Sequence, residues 1–384
     1  MKRVAILGST GSIGVSALSV ARHLGIPVKG LAARGRWETM RDQIREFRPT
    51  RAAMLDAEPC RLLRGALNGA PLSLLEGADG IRELARADDV DVVLSAITGA
   101  AGLAPGLDAL ERGKTLALAN KESLVAAGPL MIEAAKRGGG RIIPVDSEHS
   151  AIFQAMQSGR REEVRRILLT GSGGPFRETP AAELADATIE QALKHPTWSM
   201  GGKITIDSAT MMNKALEIVE ARWLFDIDPS QIEVVIHPQS IVHSLVEFRD
   251  GSVMAQLGAP DMRVPIQYAL TYPERPEGNA RRLDLLEAKA LTFQPPDLEK
   301  FPAIRLGYRA AREGGTMGAV LNAANEVAVE AFLAGRIRFT RITAIAGEAM
   351  DAHATKRRPS LQDIMEADRW ARERAAALAA EAGR

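Results

Sequence analysis

Val4-Ala5-Ile6-Leu7-Gly8-Ser9-Thr10-Gly11-Ser12-Ile13-Gly14 is a short apolar run that leads through a glycine-rich loop into an amphipathic stretch. This order predicts a strand, a tight loop and a helix. Glycines in such a loop let the backbone approach a pyrophosphate, and the N-terminus of the helix supplies oriented N–H donors. The spacing G-x-x-G-x-x-G is a variant of the commoner fingerprint, and glycines alone are weak evidence. Their strand–loop–helix setting favours dinucleotide binding.

Short apolar runs alternate with helix-length amphipathic stretches as far as residue 146. Such alternation predicts a parallel, doubly wound sheet, which binds ligands beyond the carboxyl ends of its strands. The predicted strands are Val4–Leu7, Val28–Ala33, Ala52–Leu55, Val90–Ser95, Thr115–Leu118 and Arg141–Val145, and the helices between them include Ile13–Leu24 and Glu38–Phe47.

Three further parts follow this predicted N-terminal domain of residues 1–146. Residues 147–271 mix strand and helix patterns and predict a central α+β domain, residues 272–298 are rich in Pro and Glu and predict a connecting arm, and residues 299–384 predict a helical domain. Asp250-Gly251 predicts a hairpin turn. The predicted central strands are Val164–Thr170, Lys203–Ile206, Gln231–Ile236, Ile241–Phe248 and Ser252–Leu257, and the helices are Ile152–Ser158 and Ala209–Trp223.

The composition excludes several classes of protein. Lys and Arg number 49 against 48 Asp and Glu, which leaves a net charge of +1 and argues against nucleic acid as the main partner. No apolar run reaches the roughly 18 residues of a membrane span. The single cysteine, Cys60, excludes an internal disulfide framework and a Cys-rich zinc site. Because the first residues already predict a strand, we expect no targeting peptide and a cytoplasmic location.

The end of the second predicted strand bears on the choice of cofactor. An enzyme that prefers NAD carries Asp or Glu there to hold the ribose hydroxyls, but this strand ends Ala33-Arg34-Gly35-Arg36. Two arginines suit a 2′-phosphate, so NADPH is the predicted cofactor. Two solvated surface arginines are the alternative.

Two clusters follow later predicted strands. Asp146 and Glu148 come directly after an apolar run, and at i and i+2 of an extended chain they would share one face. Their repulsion would be relieved by a hard divalent cation such as Mg²⁺; an exposed polar turn is the alternative. Asn120-Lys121-Glu122 would supply donors for a nicotinamide or a substrate hydroxyl and a cation beside the acids, although helix capping accounts for it equally well.

Three motifs of the central domain indicate a site for an anionic substrate. Gly171-Ser172-Gly173-Gly174 could cradle a small anion, or form a plain turn. Asn213, Lys214 and Glu217 share one stripe of a predicted helix that Asp207 or Ser208 would cap, so Lys214 could bind phosphate while Glu217 completes a metal site. A surface ion pair is the alternative. The segment from His195 to Gly202 suits a lid, or a packed surface loop.

Long motifs along nearly the whole chain together resemble one family, the 1-deoxy-D-xylulose 5-phosphate reductoisomerases. The family makes 2-C-methyl-D-erythritol 4-phosphate in isoprenoid precursor biosynthesis. The matching stretches are GSTGSIG (8–14), ANKES (119–123), PVDSEHSAIFQ (144–154), LTGSGGPFRETP (169–180), HPTWSMG (195–201), KITIDSATMMNKALE (203–217), HPQSIVHS (237–244), LGAPDMR (257–263) and LNAANE (321–326).

The resemblance implies a role for each matching residue. It implies Mg²⁺ or Mn²⁺ ligands at Asp146, Glu148 and Glu217, and catalytic roles for these three with Lys121 and His195. Substrate contacts are implied at Lys121, Ser147, Glu148, Ser172, His195, Ser208, Asn213, Lys214 and Glu217. NADPH contacts are implied at Thr10, Gly11, Ser12, Ile13, Arg34, Gly35, Arg36, Asn120, Glu122, Gly201 and Met262, and a flap at Trp198 and Met200.

The resemblance also implies a homodimer, a Rossmann-like N-terminal domain, a central catalytic domain and a C-terminal helical bundle. The expected reaction chelates a ketose phosphate to the metal, rearranges its skeleton by retro-aldol cleavage and re-addition, and reduces the aldehyde with NADPH. The family commonly has A-G-x-N where this chain has Ala33-Arg34-Gly35-Arg36, which leaves open which side chain meets the 2′-phosphate. Two competing hypotheses are a metal-free NADPH dehydrogenase of the aspartate-semialdehyde type, which needs an activated cysteine, and a non-catalytic NADPH sensor.

Overall fold

The computed structural model describes residues 1–67, 69, 71–198, 201–288 and 290–382. Its contacts divide the chain into two compact units. The first unit contains residues 1–123, 131–150 and 261–282, and the second contains residues 124–130, 151–260 and 283–384. The predicted division into three domains and an arm stays a prediction.

The first unit is built on a seven-stranded sheet in which every neighbouring pair is parallel. The order β4-β3-β2-β1-β5-β6-β7 reverses between β1 and β5, which confirms the predicted doubly wound sheet. All four side chains of β1 are buried, as in a sheet with both faces covered. The strands are β1 Val4–Leu7, β2 Val28–Ala33, β3 Arg51–Met54, β4 Ser73–Glu76, β5 Val92–Ser95, β6 Thr115–Leu118 and β7 Arg141–Pro144.

Strand β4 was absent from the predicted set. Ser73 and Glu76 are exposed at its two ends and only the two leucines between them are half-buried, because β4 lies at the edge of the sheet. Four residues with polar ends carry too little apolar pattern to be separated from a loop by sequence alone.

The second unit contains a four-stranded sheet in the order β11-β10-β8-β9. Its pairs are antiparallel except for β8 with β9. The hairpin predicted at Asp250-Gly251 joins β10 to β11, and Gly251 has a φ of +90° there. The strands are β8 Val164–Gly171, β9 Ile232–Ile236, β10 Val242–Phe248 and β11 Val253–Leu257.

Helices surround both sheets and form most of the chain after Pro302, which confirms the predicted helical C-terminal region. None of the described helices combines the length and the apolarity that crossing a bilayer requires. In chain order they are α1 Ser12–Leu24, α2 Trp37–Phe47, α3 Ala57–Leu67, α4 Gly77–Arg86, α5 Leu103–Glu111, α6 Lys121–Gly138, α7 Ser147–Ala155, α8 Ile189–Ala192, α9 Gly202–Ala209, α10 Met212–Leu224, α11 Arg263–Thr271, α12 Leu285–Ala288, α13 Ala303–Glu313, α14 Met317–Leu333, α15 Phe339–Asp351 and α16 Leu361–Ala382.

The predicted strand Lys203–Ile206 is wrong, because these residues lie in α9. Asp207 and Ser208 are therefore interior to a helix and do not cap the next one. That helix, α10, begins only after Met211, whose left-handed conformation (φ of +60°) separates it from α9. The β-branched run Ile204-Thr205-Ile206 favours a strand locally. In the helix, however, Lys203 forms an ion pair with Asp207 one turn later. The tertiary contacts of the segment therefore outweigh its intrinsic preference for a strand.

Candidate active site

The glycine loop of the first unit lies where the order of the sheet reverses, between β1 and α1. Gly8 has a φ of +91°, and a Cβ on it would lie 2.6 Å from the carbonyl oxygen of Ala96. A Cβ on Gly14 would lie 2.3 Å from the carbonyl oxygen of Gly8, so the helix and loop pack as backbone against backbone. Gly11 precedes α1 without any side-chain cap, and no acid lies in the first turn. The helix N-terminus therefore suits a pyrophosphate.

The two arginines after β2 have different surroundings. Arg36 donates from Nη1 to the carbonyl oxygen of Thr10 in the glycine loop, at 3.2 Å. Arg34 places its Nε 3.5 Å from a carboxylate oxygen of Asp56, and 82% of its side chain is exposed. A Cβ on Gly35 would also lie 3.4 Å from that carboxylate. Of the two cations, Arg36 is the one held against the glycine loop.

Asn120 caps helix α6 at the carboxyl end of β6. Its Oδ1 accepts from the backbone N–H of Ser123 at 3.1 Å, and its Nδ2 donates to the carbonyl oxygens of Ile97 and Gly99. The capping alternative is therefore present in the structure, and the same side chain ties the loop after β5 to the helix. Glu122 lies in the first turn of α6 and is half-buried.

The extended geometry predicted for Asp146 and Glu148 is wrong. Helix α7 begins at Ser147, and Asp146 accepts at Oδ1 from the backbone N–H groups of Glu148 (3.1 Å) and His149 (3.4 Å). An Asp that precedes a helix with Glu in its first turn is favoured by the unpaired N–H groups there. One carboxylate oxygen from each acid still lies within 4.8 Å of the other, so the two remain close in the helical form.

Asp146 is held ionised by two neighbours in the first unit. Burial alone would raise its pKa, but the Lys121 ammonium and the His149 imidazole outweigh burial and hold the pKa well below its usual range. Lys121 Nζ lies 2.5 Å from Asp146 Oδ2, and the fully buried His149 places Nδ1 3.2 Å from Oδ1. His149 was missing from the predicted site; its position at i+3 from Asp146 was the available signal.

In the second unit, Asn213, Lys214 and Glu217 lie on one face of α10, as predicted from their spacing. Asn213 Nδ2 donates to Glu217 Oε1 at 2.5 Å, and the Lys214 ammonium bonds to Glu217 Oε2 and to the carbonyl oxygen of Thr170. Lys214 is 4% exposed and Glu217 is fully buried, so the solvated surface ion pair considered as the alternative is wrong. The ammonium also reaches the strand that leads into the second glycine loop.

The second glycine loop follows β8, and Gly173 and Gly174 have φ of +84° and +68°. Ser172 Oγ lies 3.1 Å from His195 Nε2, while His195 Nδ1 accepts from the backbone N–H groups of Thr197 (3.2 Å) and Trp198 (2.9 Å). Because Nδ1 accepts, the ring proton of neutral His195 lies on Nε2 and points at Ser172. Burial lowers the pKa of His195 and favours that neutral form.

Four other predicted site residues lie in or near helices α9 and α11. Ser208 is half-buried within α9, Gly201 precedes that helix and is exposed, and the Trp198 ring lies 6.4 Å from the His243 ring. In the first unit, Met262 is half-buried before α11. Met200, the second predicted flap residue, lies outside the described residues.

Three family models match the chain. Residues 4–128 match the model described as 1-deoxy-D-xylulose 5-phosphate reductoisomerase, residues 142–225 match the C-terminal domain of that enzyme, and residues 257–374 match a DXP reductoisomerase C-terminal domain. Proteins with that enzyme name share 54% identity over 376 residues in Heliobacterium modesticaldum and 52% over 380 residues in Prosthecochloris aestuarii. The alignments cover 97% and 98% of this chain and 96% and 100% of those proteins.

Two solved structures have nearly the same fold. The reductoisomerase from Zymomonas mobilis in complex with NADPH gives a TM-score of 0.93 at 45% identity, covering 98% of this chain and 99% of that one. A DOX-P reductoisomerase in complex with NADPH, fosmidomycin and magnesium also gives 0.93, at 41% identity, covering 99% and 98%.

Proposed function

This chain belongs to the 1-deoxy-D-xylulose 5-phosphate reductoisomerase family, and from that premise we propose how its own side chains carry the reaction. It is an oxidoreductase that uses NADPH and a divalent metal to convert 1-deoxy-D-xylulose 5-phosphate to 2-C-methyl-D-erythritol 4-phosphate. One observation within the first unit carries the proposal. The glycine loop after β1, Lys121 after β6 and Asp146 after β7 lie at one edge of a parallel sheet, where such sheets bind their ligands.

We propose that Asp146, Glu148 and Glu217 hold the metal. Carboxylate oxygens suit a hard cation such as Mg²⁺ or Mn²⁺, and Asp146 is already kept in the ionised form that a ligand needs. Asp146 and Glu148 offer oxygens within 4.8 Å of one another, and Glu217 on α10 would be the third ligand. When bound, the ion would stabilise negative charge that develops on the substrate oxygens. The related structure that contains magnesium and fosmidomycin supports the use of a divalent metal in this family.

We propose that the substrate phosphate binds in the second unit, to Ser172, Ser208, Asn213 and Lys214. Lys214 supplies a buried positive charge, and the second glycine loop, with positive φ at Gly173 and Gly174, would present backbone N–H groups to the phosphate. Binding energy from the phosphate would position the reacting carbons, which is how a remote group of a substrate contributes to catalysis.

Lys121, Ser147 and His195 are proposed to contact the substrate's oxygens. The Lys121 ammonium, held by Asp146, can donate to an oxyanion, and neutral His195 can donate from Nε2. The carbon skeleton would rearrange by retro-aldol cleavage and re-addition, and the resulting aldehyde would receive hydride from NADPH. Trp198, in the proposed flap, would exclude water from the reacting groups.

The proposed NADPH site lies on the first glycine loop, because the N-terminus of α1 has no side-chain cap and its N–H groups suit a pyrophosphate. Arg36 is the better candidate for the 2′-phosphate, because it already contacts the loop at Thr10 whereas Arg34 pairs with Asp56. The other proposed NADPH contacts are Thr10, Gly11, Ser12, Ile13, Gly35, Asn120, Glu122, Gly201 and Met262.

Arg36→Ala is expected to raise the Kd of NADPH by about 10- to 100-fold, since a hydrogen bond to a charged group contributes roughly 1.5–3 kcal/mol. The Kd of NADH, which lacks the 2′-phosphate, should stay within about twofold. Titration of nucleotide fluorescence measures both. Arg34→Ala is the matched control and should change neither; a larger loss in that variant than in Arg36→Ala would overturn the assignment.

The function itself is tested by NADPH oxidation in the presence of 1-deoxy-D-xylulose 5-phosphate. Oxidation should require the sugar phosphate, stop after exhaustive chelation and return when Mg²⁺ or Mn²⁺ is added. Full activity after chelation would instead favour the metal-free dehydrogenase. That alternative is disfavoured because its cysteine would have to be reactive. Cys60 is fully buried, and burial raises the pKa of its thiol, which keeps it protonated.

We propose that the enzyme is a homodimer. Strand β11 lies at an edge of its sheet with Val253 46%, Met254 40% and Leu257 38% exposed, and an apolar edge strand favours pairing with another chain. A second copy of the chain is the proposed partner, since closed two-fold dimers are the commonest assemblies. Sedimentation equilibrium should give twice the chain mass of 41.3 kDa; a monomer at micromolar concentration would contradict the proposal.

A cytoplasmic location is also proposed, because NADPH and a sugar phosphate are charged molecules that do not cross membranes unaided. Release of the activity by osmotic shock that leaves the cells unlysed would contradict this location.

A further inference from the structure

The segment Leu321-Asn322-Ala323-Ala324-Asn325-Glu326 in α14 has no role in the site described above. Asn325 in this segment is fully buried, and its Nδ2 donates to Oδ1 of Asp207 at 2.7 Å. Its own carbonyl oxygen accepts no hydrogen bond from any described residue. A buried carboxamide with this one hydrogen-bonding partner ties the C-terminal helices to α9.

Asp207 is a buried carboxylate, only 2% exposed, at the third residue from the end of α9. Its Oδ1 is held by Asn325, and its Oδ2 lies 2.9 Å from Lys203 Nζ, one turn earlier in the same helix. A buried charge must keep its partners or become hydrated. Without the Asn325 amide, α9 would have to move so that Oδ1 could reach water or another donor.

Such a movement would reach Ser208, which follows Asp207 directly. Gly174 of the second glycine loop is pressed against the backbone of Ser208, because a Cβ on Gly174 would lie 2.5 Å from the Ser208 carbonyl oxygen. The loop that carries Ser172 and the helix that carries Ser208 therefore share one tightly packed backbone contact. A displacement of α9 would alter both serines together.

We infer that Asn325 is a positioning residue for the substrate phosphate: through Asp207 it fixes α9, and thereby Ser208 and the glycine loop. The inference rests on the proposed phosphate role of Ser208. Asn325 would thus affect phosphate binding indirectly, because in this proposal it contacts neither the substrate nor the cofactor.

The test compares Asn325→Ala with Asn322→Ala. Asn322 is the matched control, because it is 1% exposed on the same helix but donates at 3.2 Å to Glu326 of that helix and not to α9. Asn325→Ala should raise the KM for 1-deoxy-D-xylulose 5-phosphate about tenfold or more, as expected when a binding group is misplaced by a fraction of an ångström. The Kd of NADPH should be unchanged in both variants.

A purely structural role would weaken all ligands alike, so two inhibitors are compared. Fosmidomycin carries a phosphonate besides its metal-chelating hydroxamate, whereas acetohydroxamate only chelates. In Asn325→Ala, the inhibition constant of fosmidomycin should rise by a factor at least five times larger than that of acetohydroxamate. In Asn322→Ala, the two factors should be equal. Equal losses for the two inhibitors, or equal losses in the two variants, would overturn the inference.

A double-mutant cycle separates this inference from the proposed function. If Asn325 acts through Ser208, its replacement should add little to the KM of a Ser208→Ala variant. Full additivity overturns the inference, whereas a Ser208→Ala variant with wild-type KM overturns the phosphate site itself. Should Asn325→Ala not fold, Asn325→Ser keeps a hydrogen-bond donor and leaves a smaller cavity. This variant should also lose more affinity for fosmidomycin than for acetohydroxamate, but by a smaller factor.

Discussion

Glu217→Gln is expected to lower kcat by about 10³-fold or more, since a metal ion contributes several kcal/mol of transition-state stabilisation. The substitution keeps the shape of the side chain but replaces a carboxylate with a neutral amide at a fully buried position. An amide is a poorer ligand for a divalent ion, and the Lys214 ammonium also loses its charged partner. NADPH affinity should be retained, because the proposed cofactor contacts lie elsewhere in the chain.

Three measurements check this result: the turnover rate as a function of Mg²⁺ concentration, the Kd of NADPH, and the circular dichroism spectrum. The concentration of metal that gives half-maximal activity should rise in the variant. Glu233→Gln is a control in the same unit, because Glu233 is an exposed acid that pairs with Arg166 on the neighbouring strand. Wild-type turnover of Glu217→Gln at ordinary metal concentration would exclude Glu217 as a ligand.

Lys214→Met is expected to reduce kcat/KM for the phosphorylated substrate by about 10³-fold, because removing one partner of a buried charge pair costs roughly 2–5 kcal/mol. Lys214 is 4% exposed, so little water is available to replace its ammonium beside the phosphate. Methionine preserves the length and apolar stem of the side chain. The loss should therefore come from the missing charge and its hydrogen bonds.

The comparison substrate is 1-deoxy-D-xylulose, which lacks the phosphate. Its kcat/KM should be low for the wild-type enzyme, because the phosphate supplies binding energy, and should change much less in Lys214→Met. The preference for the phosphorylated sugar should therefore be largely lost. If Lys214 acted only by supporting Glu217, both substrates would lose the same factor. Lys214→Arg, which keeps the positive charge, should recover part of the preference.

Much of the fold could be predicted because its determinants are local. The apolar runs that became β1, β2, β5, β6 and β7 alternate with helix-length amphipathic stretches, and that alternation predicts a parallel sheet wherever it occurs. The glycine loop could be located because its conformations need glycine: Gly8 has a positive φ, and Gly14 has no space for a Cβ.

The errors arose where local preference and packing disagree. Lys203–Ile206 is rich in β-branched residues yet is helical. Asp146 follows β7, which ends at Pro144, and its carboxylate accepts hydrogen bonds from the first turn of α7. At Lys203–Ile206 the short pattern fits a strand and a helix equally well, and only contacts with the rest of the chain choose between them. At Asp146 the apolar run is a strand as predicted, but the sequence pattern does not show that a helix begins directly after it.

The sequence by itself determined the chemistry of this protein: the types of side chain, their order after each strand, and the glycines that let a phosphate approach the backbone. Tertiary structure alone decided which of those groups meet. Arg36 contacts the glycine loop while Arg34 pairs with Asp56, and Asn325 reaches Asp207 across 118 residues of chain. Such pairings depend on how distant segments pack, and no local periodicity encodes a contact between residues so far apart along the chain.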